Sequence, residues 1–308
     1  MNFKHILNGA QFADQELLNN IFNKAAQLER SDREGGMPKL LAGKVVATVF
    51  YETSTRTRLS FEAAAIKLGA GVISISDPKT SSASKGESLE DAIKVISGYS
   101  DAVILRYPEN GAAEKASLVS EAPLINAGDG YNEHPTQALY DLYTMQKELG
   151  KIDGLKIAFL SDFRYQRNIH SLIPMFSVFK DLILYLIGPK ELRLPENYKL
   201  ELKKAGVKFE ELDGVDSVLP EIDVLYVTRV FKERFGDEAE YERLKKAFFV
   251  NEATVAKMKK RSVILHVMPR IFEVDTKVDA DPRAAYFRQA KNGLYVRAAL
   301  LLYALGLI

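Results

Sequence analysis

A row of hydroxyl and basic side chains, YETSTRTR at positions 51–58, follows directly on the apolar run KVVATVF. Hydroxyl and guanidinium groups donate hydrogen bonds to anions, and the amino terminus of a helix adds backbone N–H donors and a positive dipole end. If a helix begins here, Ser54, Thr55, Arg56 and Thr57 together make a cradle for a phosphate dianion. The alternative is an ordinary capped helix start whose arginine forms a surface salt bridge.

Polar residues also follow several other apolar runs. Arg106 ends AVILR, the segment His134–Gln137 opens a helical pattern after PLINAG, and Arg229 closes DVLYVTR. Ligands of open α/β sheets bind beyond the carboxyl ends of the strands, so these positions predict a site at such an edge. Alternatives stay open, because the arginine could lie on the surface and the histidine could cap a helix. The polar stretch Ser81–Lys85 is either a solvated loop or a lid that grips an anion.

Short apolar runs alternate with helical patterns, which predicts an α/β fold with mainly parallel sheets flanked by helices. The alternation restarts after Gly150–Gly154, so we expect two domains. We place the first at 1–138, with a closing helix at 289–308 that packs back on it, and the second at 139–288. The predicted strands are 44–50, 71–76, 102–106, 123–128, 155–162, 182–188, 207–212, 223–229 and 262–269. The predicted helices are 59–70, 88–99, 110–121, 134–150, 168–179, 199–206, 251–260 and 291–306.

The composition excludes several classes of protein. Among the 308 residues, 42 are Lys or Arg and 41 are Asp or Glu, so a net charge of +1 argues against nucleic-acid binding through bulk electrostatics. The absence of cysteine excludes thiolate catalysis, disulfides and cysteine-ligated zinc, and the four histidines have no metal-ligand spacing. LILYLIG and AALLLYALGLI are too short to span a bilayer, and MNFKHILNGAQF lacks the apolar core of a signal peptide. We expect a soluble, cytoplasmic protein without a membrane partner.

Several segments resemble the catalytic chains of aspartate carbamoyltransferases, in the right order from about residue 40 to the carboxyl end. They are FYETSTRTR, KGESL, LRYPENGAA, NAGDGYNEHPTQAL, DVLYVTR, KERF and VDADPRAAYFRQAKNGLYVRAAL. Ser-x-Arg-Thr-Arg with His-Pro-x-Gln is specific for carbamoyltransferases as a superfamily. The ornithine branch usually carries His-Cys-Leu-Pro, where this chain has His266-Val-Met-Pro. The resemblance is therefore to the aspartate branch.

This resemblance implies a site for carbamoyl phosphate. The implied binding residues are Ser54, Thr55, Arg56, Thr57, Arg106, His134, Gln137 and Met268. The implied catalytic residues among them are Arg56, Thr57, Arg106 and His134. Thr57, Arg106 and His134 would donate to the carbonyl oxygen, which becomes more negative as the amine attacks. Gln137 and backbone carbonyls at Val267 and Met268 would accept from the carbamoyl NH2 group, with Met268–Pro269 as a cis peptide.

The resemblance also implies an aspartate site and an oligomer. Arg167 and Arg229 would grip the two carboxylates, since arginine forks suit planar anions. Ser81 and Lys85 would reach the active site of a neighbouring chain, and Lys85 would contact aspartate there, so the minimal active unit would be a homotrimer with shared sites. No metal and no nucleotide cofactor is implied. Whether a regulatory chain joins the trimers is left open.

Domain closure is implied through Glu52, which would link to Arg167 and Arg234 and so help to exclude water. The implied reaction transfers the carbamoyl group from carbamoyl phosphate to the amino group of L-aspartate. Its products are N-carbamoyl-L-aspartate and phosphate, in de novo pyrimidine synthesis.

The amino-acid half departs from the family pattern. The departures are Ser161, Gln166, Phe231, Val267 and Phe272, which replace Gly, Gly, Gln, Pro and Asp. They leave three hypotheses: an aspartate enzyme that has drifted, a carbamoyltransferase for another amino acid, and a non-catalytic paralogue. Because Arg167 and Arg229 are both present, aspartate is favoured as the acceptor.

Overall fold

A computed structural model of the chain describes residues 4–230 and 237–308. The described residues form two compact units. The first unit comprises Met1–Tyr140, His170–Leu172 and Ala290–Ile308, and the second comprises Asp141–Ile169 and Ile173–Gln289. The predicted limits at 138, 139, 288 and 289, and the ligand given to each domain, stay predictions.

The first unit is built on a parallel sheet of four strands in the order β2-β1-β3-β4. The strands are β1 (Val45–Phe50), β2 (Gly71–Ile75), β3 (Ala102–Tyr107) and β4 (Leu124–Asp129). Three of them, β1, β3 and β4, are buried along almost their whole length, as is typical of parallel strands covered on both faces. The edge strand β2 has no buried residue. Parallel pairing brings the carboxyl ends of all four strands to one edge.

Helices flank this sheet. They are α1 (Gln15–Glu34), α2 (Thr55–Lys67), α3 (Leu89–Ser97), α4 (Ala112–Ser117), the start of α5 (Pro135–Leu149) and most of α10 (Tyr286–Ala304). The N-cap residue of helix α1 is Asp14, whose carboxylate accepts the Leu17 N–H at 2.9 Å. It buries a stripe at helical spacing that includes Leu18, Ile21 and Phe22.

The second unit contains a parallel sheet of five strands in the order β7-β6-β5-β8-β9. The strands are β5 (Lys156–Leu160), β6 (Ile183–Ile187), β7 (Lys208–Leu212), β8 (Val224–Val227) and β9 (Val263–His266). Its helices include α6 (Arg167–Met175), α7 (Glu196–Lys204), α8 (Glu238–Lys245) and α9 (Glu252–Ala256). Buried side chains from β5, β6, β8 and β9 pack with those of α8 and α9 in one hydrophobic core.

The predicted fold class is confirmed, and a strand lies in each of the nine predicted strand segments. Several helix limits were wrong. Helices α2 and α7 begin at Thr55 and Glu196. Helices α4, α6 and α9 end at Ser117, Met175 and Ala256, and the closing helix α10 runs from Tyr286 to Ala304. Helices α1 and α8 were not predicted. Among the described residues, no helix combines the length and apolar character needed to cross a bilayer.

Candidate active site

The predicted anion cradle lies at the first turn of α2. Ser54 occupies the cap position with extended backbone angles, φ −158° and ψ 98°, but its side chain accepts no hydrogen bond from the helix. The first-turn N–H groups are therefore not used by their own cap, unlike those of a normally capped helix. Thr55 and Arg56 are exposed, whereas Thr57 is buried. A capless, hydroxyl-rich helix start is suited to an external anion.

Arg106 is held beside this cradle by the sheet. It pairs in register with Phe50, the last residue of β1. Its Nη1 donates to the Ala127 carbonyl at 3.2 Å, and its Nη2 donates to Glu52 Oε1 at 3.1 Å. The guanidinium is thus oriented from β4 on one side and from the segment after β1 on the other. The implied links of Glu52 to Arg167 and Arg234 stay predictions, and Arg234 lies outside the described residues.

His134 stands just before α5 and is buried. Its backbone N–H donates to Ser171 Oγ at 2.8 Å, and the Ser171 hydroxyl donates to Glu133. Glu133 Oε2 also accepts the Gly9 N–H at 3.0 Å. Two distant segments of the chain, at Gly9 and Ser171, therefore fix the backbone around His134.

Gln137 lies one turn after His134, with its backbone N–H bonded to the His134 carbonyl at 3.0 Å. Its Oε1 accepts the hydroxyl hydrogen of Tyr140. This bond orients the amide group. The acceptor role that the resemblance implies for Gln137 stays a prediction.

Asp129, which sequence reasoning did not single out, organises the turn that leads to His134. Its carboxylate accepts from Asn126 Nδ2 at 2.9 Å, Asn132 Nδ2 at 3.2 Å, the Gly111 N–H at 2.8 Å and the Glu133 N–H at 3.2 Å. Burial raises the pKa of Asp129 above its usual value, although the four donors act in the opposite direction. Asp129 belongs to the NAGDG segment, which in the sequence stands out only by its resemblance to the family.

Space for this network depends on Gly9. A methyl group there would lie 2.0 Å from the Ser171 carbonyl oxygen, although the Gly9 angles of φ −68° and ψ −33° suit alanine. We expect Gly9→Ala to displace Ser171, lower kcat about tenfold and reduce the free energy of unfolding by about 1–3 kcal/mol. Steady-state kinetics and urea unfolding measure both effects. Gly214→Ala, which enters open space, is the matched control; equal behaviour of the two variants would contradict the prediction.

The predicted aspartate-binding arginines both lie in the second unit. Arg167 is the first residue of α6, Arg229 follows β8, and both side chains are half-buried. Gln166 Nε2 donates to the Arg229 carbonyl at 2.5 Å, and Thr228 Oγ1 donates to Ser161 Oγ at 2.8 Å. The departures at 161 and 166 therefore tie the segments that carry the arginines to each other.

Two further departures from the family pattern, Val267 and Phe272, lie near the end of β9, on either side of the Met268–Pro269 peptide. The Met268–Pro269 peptide is cis, as the resemblance implied, and the Met268 N–H donates to His266 Nδ1 at 2.8 Å. Phe272 packs against the hydrophobic core. Its ring meets Tyr241 edge-on at a centroid distance of 6.4 Å, and Lys245 Nζ lies 5.6 Å from its centre. Phe272 thus has a packing role, whereas Phe231 lies outside the described residues.

Family models and relatives match this chain over nearly its full length. The carbamoyl-P binding domain of aspartate/ornithine carbamoyltransferase matches residues 4–147, and the Asp/Orn binding domain matches residues 153–304. The chain belongs to the aspartate/ornithine carbamoyltransferase family. The aspartate carbamoyltransferase catalytic subunit of Methanocaldococcus jannaschii is 48% identical over 298 residues, or 97% of this chain and 96% of that protein.

Solved structures of carbamoyltransferases share the fold. The M. jannaschii aspartate transcarbamoylase catalytic subunit, in an orthorhombic crystal form, has a TM-score of 0.90 at 48% identity, with 97% of this chain and 96% of that chain covered. Aspartate transcarbamoylase from Trypanosoma cruzi, in complex with carbamoyl phosphate and aspartate, has a TM-score of 0.92 at 36% identity, with 97% and 96% covered.

The segment implied to serve a neighbouring carbamoyltransferase chain is a short 3-10 turn, Ser82–Lys85. Ser81 precedes it, and its Oγ accepts the Ala83 N–H at 3.3 Å. Burial raises the pKa of Tyr51, while a hydrogen bond with Ser81 acts to lower it, which places Ser81 beside Tyr51 of its own chain. Lys85 is exposed and has no ion pair within residues 4–230 and 237–308.

Proposed function

We propose that this chain transfers the carbamoyl group of carbamoyl phosphate to the amino group of L-aspartate, forming N-carbamoyl-L-aspartate and phosphate in pyrimidine synthesis. The observation that carries the proposal is the capless start of α2 beside Arg106, at the carboxyl edge of the first sheet. The T. cruzi enzyme, which binds both substrates, is similar over nearly the whole chain.

The reaction needs orientation and donors rather than a covalent intermediate. The aspartate amine, unprotonated, attacks the carbonyl carbon, the bond from that carbon to the phosphate oxygen breaks, and phosphate takes up the proton that the amine loses. Thr57, Arg106 and His134 donate to the carbonyl oxygen as negative charge builds on it. The hydroxyls of Ser54 and Thr55 and the α2 amides hold the phosphate. Preorganised donors of this kind act without rearranging during the reaction.

Aspartate is favoured as the acceptor because Arg167 and Arg229 offer two guanidinium forks for two carboxylates. The hydrogen bond of Gln166 to the Arg229 backbone and the packing of Phe272 give both departures structural roles. An acceptor with a cationic side chain would meet repulsion at two arginines, which disfavours ornithine.

Phosphate release tests the proposal directly. We expect the purified protein with carbamoyl phosphate to release phosphate with L-aspartate, and at least about a hundredfold more slowly with L-glutamate, L-asparagine or L-ornithine, because each lacks one correctly placed carboxylate. Release chiefly with another amino acid would support a changed acceptor. No release with any of them would support a non-catalytic paralogue.

A homotrimer with shared sites is part of the proposal. Glu62 of α2 accepts from Ser74 of β2 at 2.9 Å, and the exposed residues Leu59 and Ile66 lie on the same face of α2 as Glu62. Ile73 is exposed on the opposite face of the edge strand β2. An apolar surface beside an open strand edge suits contact with another copy of the chain. A cytoplasmic location stays a prediction, and the presence of a regulatory chain stays open.

A further inference from the structure

A continuous chain of hydrogen bonds runs through the buried interior of the second unit. Its members are Asn168, Tyr226, Asp141, Gln289 and His266, all buried. Asn168 Nδ2 donates to the Tyr226 hydroxyl at 2.8 Å, and that hydroxyl donates to Asp141 Oδ2. Gln289 Nε2 donates to Asp141 Oδ1 at 2.7 Å, and the His266 N–H donates to Gln289 Oε1 at 2.9 Å. The five residues come from α6, β8, α5, α10 and β9.

The centre of this chain is the carboxylate of Asp141, which is 0% exposed. A buried carboxylate is costly unless donors surround it, so Asp141 dictates where the Tyr226 hydroxyl and the Gln289 amide must point. Because the Gln289 Nε2 donates to Asp141, the Gln289 Oε1 is directed toward β9. The Asp141 carboxylate thereby determines which group donates and which accepts in each hydrogen bond of the chain.

Both ends of the chain reach predicted substrate-binding residues. Asn168 follows Arg167 in the first turn of α6. At the other end, His266 Nδ1 accepts the N–H of Met268, whose carbonyl region is implied to hold the carbamoyl NH2 group. Met268 has a positive φ of 52°, a conformation that costs energy and needs support from its surroundings.

We infer that the Asp141–Tyr226 pair is a positioning device for binding residues of the second unit, holding Arg167, which is implied to bind aspartate, at one end and Met268, which is implied to hold the carbamoyl NH2 group, at the other. The inference rests on the proposed function. None of the five residues of the chain touches a reacting atom; they act through the two residues at its ends. Tyrosine rather than phenylalanine is required at 226 only for its hydroxyl, because a phenyl ring would keep the contact with Phe159 at 5.3 Å.

Tyr226→Phe tests this inference with the loss of one oxygen atom. We expect the KM for aspartate to rise about tenfold, because a hydrogen bond to a buried charge is lost on the side of Asp141 that leads to Arg167. The KM for carbamoyl phosphate should change less than about twofold, because its phosphate-binding residues lie in the first unit and the Gln289 bond to Asp141, which leads to Met268, is kept. A merely structural loss would instead lower the active fraction and leave both KM values unchanged. The split between the two KM values is therefore the decisive readout.

Tyr185→Phe is the matched control. The Tyr185 hydroxyl donates to Glu221 Oε1 at 2.8 Å on β6 of the same sheet, and the side chain is also buried. We expect both KM values of this variant to equal those of the wild-type enzyme. Asn168→Ala keeps both donors to Asp141, the Tyr226 hydroxyl and the Gln289 amide, and should also raise the KM for aspartate. This variant takes the place of Tyr226→Phe if Tyr226→Phe does not fold.

The outcomes separate the inference from the function on which it rests. A wild-type protein that releases no phosphate overturns both. An active wild-type protein whose Tyr226→Phe and Asn168→Ala variants keep its aspartate KM overturns the inference alone. Equal increases in the KM values for aspartate and carbamoyl phosphate also overturn it.

Discussion

Arg106→Met is expected to lower kcat by about a thousandfold or more, the largest loss from any single substitution in the phosphate half of the site. The guanidinium stands beside the cradle and is implied to contact both the phosphate and the carbonyl oxygen. Losing a single transition-state donor typically costs about a hundred- to a thousandfold, and here the phosphate also loses a cation.

A second effect of Arg106→Met must be separated from catalysis. Glu52 would lose its partner at 3.1 Å, and a half-buried carboxylate without that partner destabilises the fold. We expect the double variant Arg106→Met, Glu52→Gln to recover stability but not turnover. Arg106→Lys keeps the charge but not the fork, so it should remain well below wild-type activity.

Arg58→Met is the control for charge alone. Arg58 lies in the same basic segment, but its Nη1 pairs with Glu62 of its own helix at 3.5 Å. We expect its kcat and its KM for carbamoyl phosphate to stay within about threefold of wild type, since an ion pair between residues four apart on one helix contributes little. A loss of less than tenfold in Arg106→Met, or an equal loss in Arg58→Met, would remove Arg106 from the catalytic residues. Phosphate release and calorimetric titration with carbamoyl phosphate measure the two steps.

Most of the strands could be predicted because they are short, mainly apolar runs bounded by polar or turn-forming residues. The same rule hid the first turn of α2, where hydroxyl and charged residues carry no apolar period. Helix α1 was not predicted, although Leu18, Ile21 and Ala25 stand at helical spacing and are buried.

The supporting contacts of the site could not be predicted, because their partners are far apart in the chain. Gln289 and Asp141 are 148 residues apart, and Glu133 and Gly9 are 124 apart. No local pattern links such pairs. The roles of the departures from the family pattern could not be predicted either. Gln166 was one reason for the hypothesis of a different acceptor, but in the structure its amide donates a hydrogen bond to the Arg229 carbonyl. A substitution's role depends on its partner, which only the fold supplies.

Mixing two inactive variants is expected to restore activity if the active sites are shared between chains. Arg56→Ala removes the cradle arginine, and Lys85→Ala removes the cation on the exposed turn; each homotrimer should retain less than about 1% of wild-type kcat. In a mixed trimer, some sites join an intact Arg56 from one chain to an intact Lys85 from its neighbour. Each condition holds for half of the chains at equal amounts, so about a quarter of the sites are intact after random exchange.

The decisive comparison uses a pair that should not complement. Arg56 and His134 lie in the same unit of one chain, so mixing Arg56→Ala with His134→Ala leaves no site with both groups. Subunit exchange is verified with a charge-tagged chain and ion-exchange chromatography before phosphate release is measured. Recovery in the first mixture alone locates Lys85 in the neighbour's site. No recovery in either mixture after verified exchange contradicts sharing, because Lys85 would then serve its own chain. Recovery in both mixtures would show that Arg56 and His134 do not act in one site.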